Sequence, residues 1–488
     1  MSKNNKKRKK ALVVPRKDVE ASKVLSTTEI QARIPIAQTT QDNTYIWGDV
    51  DSYSADTAYS HQVRKTIRER ARFEVNANSY MDGIIDTYSN DVVSTTPKLQ
   101  VLTKNKNFNK RFERDFSSWS KEIRLGQKLR TAVKGRVTDG EAFGEIVTNP
   151  KLKNPIKLDL SLVECDRVAH PISDYSSLTM DNKDIDGVVL DDFGNVQYYV
   201  VMEEHPGNAA TYNQNSTKTP EEYMLHFYRP SRPEQHRGIS EIAPSLSLFA
   251  QLRRYTEAVI AAAETAADFA AVIQSDVVPE EAANLQPLDL VQLEKRMATV
   301  LPQGWSIGQI RAEQPTTGYK DFKQAIIAEI ARCLGMPYNI AAGDSSGHNF
   351  SSAKLDVRMY EKELKIQQYD MEPHLDKLLR HYKAEWSKIN NIDVEDMPYK
   401  WMWVTLEPTE QKEINAIISK LQNGMLTYED YYSSKGEDWE SQFEQIAQER
   451  SRMAELGLVF GDTSKTVEPE PEEPEPEEPD LEQPGDEA

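Results

Sequence analysis

The residues most suggestive of chemistry surround Ser345. GDSSG, Gly343 to Gly347, fits the Gly-x-Ser-x-Gly elbow of α/β-hydrolases, with Asp376 and His381 following in the order such an enzyme uses. The elbow requires a buried strand that delivers the serine to a strained turn. Here the preceding LGMPYNIAA reads as the end of a helix that breaks at Pro337, so the geometry for acyl transfer is not expected. Gly135 and Gly140 have the spacing of a phosphate-binding loop, but Glu141 and Ala142 stand where Lys and Ser/Thr would hold phosphate and magnesium. Asn182, Asp184, Asp186 and Gly187 resemble the start of a calcium loop, yet Phe193 falls where the bidentate glutamate belongs. The eight histidines are scattered. His374 and His381 share a helix face, but seven residues apart they are too far separated to bind one zinc, and read as a helix-surface pair. Cys165 and Cys333 lie far apart and read as small buried side chains. The expectation is therefore no catalytic residue, no metal and no cofactor.

The elements around these motifs are mostly helical. Residues 57 to 94 read as a helix with an apolar stripe of Val63, Ile67, Ala71, Phe73, Met81, Ile84, Ile85 and Tyr88. A second helix, about 107 to 129, carries Phe108, Phe112, Phe116 and Trp119 on one face. From about 145 to 228 short alternating runs broken by Asn, Pro, Gly and Asp predict a β-rich unit. Its clearest hairpin is VVL-DDFGN-VQYYVVM, with Gly194 supplying the turn. Between Pro244 and Pro279 there is no Gly or Pro, and nine of the 22 residues from Ala250 to Ala271 are Ala, which predicts a helix of about seven turns. Its small side chains bury little area in isolation, so it needs helical neighbours. A Pro- and Asp-rich excursion, about 276 to 317, separates it from a helix at about 319 to 334. A polar loop, AAGDSSGHNFSSA, leads into a long helix from about Ser352 to Trp386, kinked near Pro373. A strand, YKWMWVTLEP, precedes final helices at about 410 to 423 and 439 to 456, with a short turn after Thr427.

The 488 residues suggest two to four compact units at roughly 100–200 residues each. The formal charge is −19 and is uneven. Residues 461–488 carry twelve acids and one lysine in a Glu-Pro repeat, which predicts an extended, disordered tail. Lys3, Lys6, Lys7, Arg8, Lys9, Lys10, Arg16 and Lys17 form a basic arm that either touches nucleic acid or stays solvated. No window of about 18 apolar residues predicts a membrane span, and the basic N-terminus lacks the apolar stretch of a secretory signal, so synthesis in the cytosol is expected.

From about residue 65 to 458 the order of motifs resembles the portal proteins of tailed bacteriophages, phage lambda type. The likeness rests on RARFEVNANSYMDGIIDTYSNDVVSTTPKLQ, GRVTDGEAFGEI, DGVVLDDFGNVQYYVVMEEHPG, HFYRPSRPEQHRGISEIAP, LGMPYNIAAGDSSGHNFSSAKLDVRMYEKEL and LEPTEQKEINAIISKLQNGMLTYEDYYSSKGED in succession. DVVSTTP departs from it where the family tends to a Gly-rich turn.

The resemblance implies an α+β, mainly helical portal fold assembled as a cyclic ring, usually of twelve copies, at one capsid vertex. Double-stranded DNA would pass through it non-specifically during packaging and ejection. Implied partners are the terminase large subunit, the major capsid and scaffold proteins and the neck or head-completion proteins, with no membrane; the implied location is the virion, and host cytoplasm during assembly. The implied divisions are a basic arm 1–56, a wing 57–240, a first stem helix 241–275, a clip 276–317, a second stem helix 318–336, a tunnel loop 337–351, the long kinked helix of the wing 352–400, a crown 401–460 and the acidic tail 461–488. Arg253, Arg254, Lys320, Lys323 and Lys354 are candidates for cations facing the channel, and each could equally serve an intersubunit ion pair. Asp344, Ser345, Ser346, Gly347, His348 and Asn349 would form the tunnel loop, largely uncharged and able to touch moving phosphates without holding them. The acidic balance fits a passage better than a clamp, because each neutralised phosphate releases counterions and tightens binding. The competing reading is a DNA-processing or maturation hydrolase using Ser345.

Overall fold

A computed structural model describes residues 52–170, 183–208, 215–268, 272–275, 305–308, 316–346, 350–404 and 411–456. The basic arm up to residue 51, most of the 276–317 excursion and the acidic tail lie outside them. The architecture is α+β: helices form the bulk and small antiparallel sheets pack among them.

The stretch read as one helix over 57–94 contains two, α1 (His61–Ala77) and α2 (Ser79–Val93), after a single turn at Ala55–Ala58. Asn78 breaks them: its backbone is extended and its side chain accepts the Tyr80 N–H at 3.0 Å, capping α2. Of the expected apolar stripe, Ala71 on α1 and Met81, Ile84, Ile85 and Tyr88 on α2 are buried, but the rest of its α1 part is not. Arg64, Arg68, Ala71 and Glu74 face inward, while Val63 is 39% and Phe73 59% exposed. Ion pairs, described below, replace apolar packing on that face.

β1 (Lys98–Val101) leads to α3 (Lys106–Glu122) and α4 (Leu125–Asp139), again two helices where one was expected from 107 to 129. The break lies at Arg124, whose φ is +56°. Phe112, Phe116 and Trp119 are buried as their spacing predicts, meeting Tyr382 and Trp386 of the long helix α8 (Phe350–Asn390) at ring separations of 4.8–5.6 Å. Trp119 Nε1 donates to the Leu158 carbonyl at 2.8 Å, so the ring buries its apolar body without stranding its donor.

The Gly135–Gly140 segment is the end of α4, not a phosphate loop. Gly140 closes the helix at φ +95°, and a Cβ there would lie 2.3 Å from the Ile239 carbonyl carbon. β2 (Glu141–Thr148) follows at once and lies between β3 (Leu158–Val163) and β8 (Met224–Tyr228). A second sheet orders β4 (Asp184–Ile185), β5 (Val188–Leu190), β6 (Val196–Met202) and β7 (Ser216–Pro220) side by side. The β5–β6 pairing is the expected hairpin, with Gly194 at φ +84° in its turn.

The Ala-rich segment forms α5 (Leu246–Asp268). After it, β9 (Val272–Ser275) pairs antiparallel with β10 (Trp305–Gly308), Trp305 opposite Ser275, which brings the excursion back to its origin before α6 (Thr316–Ala331). The polar loop is shorter than expected. Tyr338–Ala342 is a helix, α7, closed by Gly343 at φ +63°, and Gly347, His348 and Asn349 lie outside the described residues. β11 (Tyr399–Met402) does not begin the C-terminal group but pairs with β1, Lys98 opposite Met402. Among the described residues three more helices follow: α9 (Gln411–Gln422), α10 (Tyr428–Ser434) and α11 (Trp439–Glu455).

Candidate functional site

The α5–α6 pair is rooted firmly and bare further out. Phe249 and Leu252 of α5 join Ile326, Ile327 and Ile330 of α6 in the main core. Beyond them Tyr255 packs on Phe322 with centroids 4.7 Å apart, and the Thr256 hydroxyl lies 3.3 Å from that of Tyr319. From Arg253 to Glu264 no α5 side chain is buried, and Ile260 is 52% exposed. Past the Tyr255 and Thr256 contacts, the described side chains of α5 are exposed or half-buried, an unusual amount of open surface for an Ala-rich helix.

The cations singled out in the sequence divide into groups. Arg253 Nη1 lies 2.9 Å from Glu74 Oε2, with its guanidinium over the Phe73 ring at 5.1 Å. Lys323 sits over the Tyr80 ring at 4.6 Å. Both are thereby tied to α1 and α2 at the root. Arg254 and Lys320 are exposed, and Lys354 is half-buried on the early turns of α8. Asp344 accepts the Ser346 N–H at 2.9 Å, a local turn that holds the loop as it leaves α7.

Ser345 does not sit on a nucleophile elbow, because the helix α7 and not a strand precedes it. Its proposed partners are engaged elsewhere: Asp376 accepts from the Tyr399 hydroxyl at 2.9 Å and Trp401 Nε1 at 2.8 Å, and His381 Nε2 is 2.9 Å from the Glu222 carbonyl oxygen. Nor do His374 and His381 pair on the surface. His374 packs against Phe227 at 4.5 Å, where burial pushes its pKa down to about 3. Cys165 is buried and Cys333 half-buried.

Sequence reasoning missed the ionic hub beneath the β-rich unit. Glu141, at the start of β2, is fully buried beside Arg237, whose Nε is 3.0 Å from both carboxylate oxygens, and beside His226 Nε2 at 3.1 Å. Burial would raise the Glu141 pKa, but Arg237 and His226 outweigh it and hold the carboxyl well below its usual range. Around this pair, Arg68 reaches Asp166 at 2.7 Å, and Arg64 and Arg237 converge on Asp186. Burial would likewise raise Asp186, but His61 and the two arginines bring it down. The acids that resembled a calcium loop thus have protein partners: Asp186 these groups, and Asp184 His170 at 2.6 Å. The available signal was the i, i+4, i+8 spacing of Arg64, Arg68 and Arg72 on one helix face.

Glu164, Asp166 and His205 are the one group among the described residues with the spacing of a metal site. Arg72 already fills the cation's role there, with Nη2 2.8 Å from Asp166 and 3.2 Å from Glu164. The Gly207 N–H donates to His205 Nδ1 at 2.9 Å, which leaves the ring proton on Nε2, the atom a metal would need. The residues do not fit a resident ion.

The family model described as phage portal protein, lambda family, matches residues 43–368, two thirds of the sequence. The chain belongs to that family. A "Probable portal protein" of Halomonas phage phiHAP-1 is 24% identical over 379 residues, covering 71% of each chain. Among solved structures, a chain of "Neck of native GTA particle computed with C12 symmetry" is similar over 82% of this chain and 95% of its own, at 11% identity and a TM-score of 0.42. One from "Virion of native gene transfer agent (GTA) particle" is similar over 80% and 93%, at 12% identity and a TM-score of 0.41. Membership makes this a portal protein, a structural component of a phage particle, and the hydrolase reading has no geometry behind it.

Proposed function

We propose that copies of this portal protein close into a ring, of about twelve by the resemblance, around an axis through which double-stranded DNA enters and leaves the capsid. The observation that carries the reading is the exposure of α5 beyond its root: among the described residues from Arg253 to Glu264 no side chain is buried, beside an α6 that is buried only near its base. Rotated copies would cover these faces through heterologous contacts that close on themselves. In this reading α5 and α6 are the stem, the excursion between them is the clip that meets the terminase large subunit and later the neck proteins, residues 57–240 with α8 form the wing, and the C-terminal helices form the crown. The basic arm, the scaffold and capsid contacts and assembly in host cytoplasm belong to the same proposal.

Arg254 and Lys320, exposed and outside the root contacts, are the stronger candidates to meet passing phosphates. Arg253 and Lys323 instead brace the stem on α1 and α2, and Lys354 follows the tunnel loop into α8. Asp344, Ser345 and Ser346, with Gly347, His348 and Asn349, would line the constriction. Native mass spectrometry of the purified protein tests the ring: one closed multiple of the 55.6 kDa protomer is expected, whereas monomer alone, or a ladder without an endpoint, contradicts it.

A further inference from the structure

We propose that the acidic segment 461–488 seats on a basic face of its own copy, formed where the end of α3 meets the tip of the β2–β3 hairpin. Lys121 and Arg124 stand at the α3–α4 corner, and Lys151 and Lys153 at the hairpin tip, all exposed. Glu122 joins the two pieces: its carboxylate accepts the N–H of Lys153 and, at 3.0 Å, that of Asn154. That carboxylate is spent on the backbone, and the neighbouring Asp159 is paired with Lys128 at 2.6 Å. Among the described residues, Lys121, Arg124, Lys151 and Lys153 have no ion-pair partner, in a chain whose formal charge is −19. Such a face on an acidic protein offers an anionic segment a complementary surface.

The direction of the chain selects the occupant. Lys106 pairs with Glu440 at 3.0 Å, and Lys110 pairs with Glu444, the same offset in both cases, so α11 runs parallel to α3. The two helices are both 17 residues long. The C-terminal end of α11 therefore points the same way as the end of α3 that carries Lys121, and only residues 457–460 separate Leu456 from the acidic repeat. Its twelve acids against one lysine supply the complementary charge, and 32 residues can extend on the order of 100 Å, so reach does not limit docking. A chain of Glu-Pro repeats gains from this surface electrostatically, without needing an apolar groove, and the contact should fade with salt.

Lysine acetylation of the full-length protein, read by mass spectrometry, tests the assignment, with exposed Lys104 as internal reference. Lys121, Lys151 and Lys153 should react at least about three-fold more slowly than in protein lacking residues 461–488, and about 0.5 M NaCl should erase the difference. Zero-length carbodiimide coupling should join these lysines to acids of the segment, and Lys151→Glu with Lys153→Glu should abolish the coupling. Equal reactivity with and without the segment overturns the proposal. If added duplex DNA alone protects these lysines, the face is a nucleic-acid surface and the proposal fails. Coupling only between isotopically distinct copies in mixed assemblies refutes seating on the same copy. The reactivity comparison and the coupling loss do not depend on whether the copies form a ring.

Discussion

Glu141 and Arg237 meet out of contact with solvent, the guanidinium Nε 3.0 Å from each carboxylate oxygen and the side chains 0% and 1% exposed. The pair joins the end of α4 to the segment after β8, and around it α1 contributes Arg64 and Arg68. Two glycines make this approach possible: a Cβ on Gly238 would fall 2.1 Å from the Gly140 carbonyl oxygen.

Arg237→Met should leave Glu141 buried without its main counter-charge and cost about 3–5 kcal/mol in chemical denaturation. Adding Glu141→Leu should recover a good part of that loss, since a buried ion pair contributes little over packed apolar groups once both charges are gone. A single variant within about 0.5 kcal/mol of wild type would show that the hub does not hold the β-rich unit.

His374 sets an acid limit on stability. Its folded pKa is pushed down to about 3 by burial against Phe227, from an ordinary 6.5. Between those values the unfolded chain binds a proton that the folded chain refuses, so stability is fully present above about pH 6.5 and is lost as pH falls toward 3. The loss should reach roughly 2–4 kcal/mol. His374→Phe should flatten the pH 6.5 to 3 slope in urea titrations, and an unchanged slope would assign acid sensitivity to other groups.

Ser345→Ala should leave every function intact. Purified wild type and variant should show no hydrolysis of esters, peptides or DNA, and loss of a measurable hydrolytic rate in the variant would restore the enzyme reading.

Much of this architecture was legible because it is local. The Phe112, Phe116 and Trp119 stripe, the Gly194 hairpin and the alanine run each signal their element within a short window. The breaks at Asn78 and Arg124 were not, because apolar spacing continues across them while one cap or one left-handed residue turns the chain. The α1 stripe was misread for a different reason. Val63 and Ile67 have the right period, but the face that is buried is settled by Asp166 and Asp186, about a hundred residues away. β11 pairing with β1 is likewise a long-range event with no local trace. The candidate stem was visible as alanine content; that its root is clamped by Arg253 on Glu74 and Lys323 on Tyr80 was not.

Ile260→Lys separates folding from assembly. The residue is 52% exposed in the protomer, and the new lysine would lie within ion-pair spacing of Glu257 and Glu264 on the same helix, so protomer stability should change by less than about 0.5 kcal/mol. Oligomer recovered by size-exclusion chromatography should nonetheless fall steeply. Full assembly in the variant would show that this face of α5 stays in solvent.

Electron micrographs of the purified protein viewed along its symmetry axis test the central claim most directly. The account predicts class averages with a rotational repeat and an open centre wide enough for a DNA duplex, lined by α5 and α6. Particles filled at the centre, or an assembly without rotational order, would contradict it.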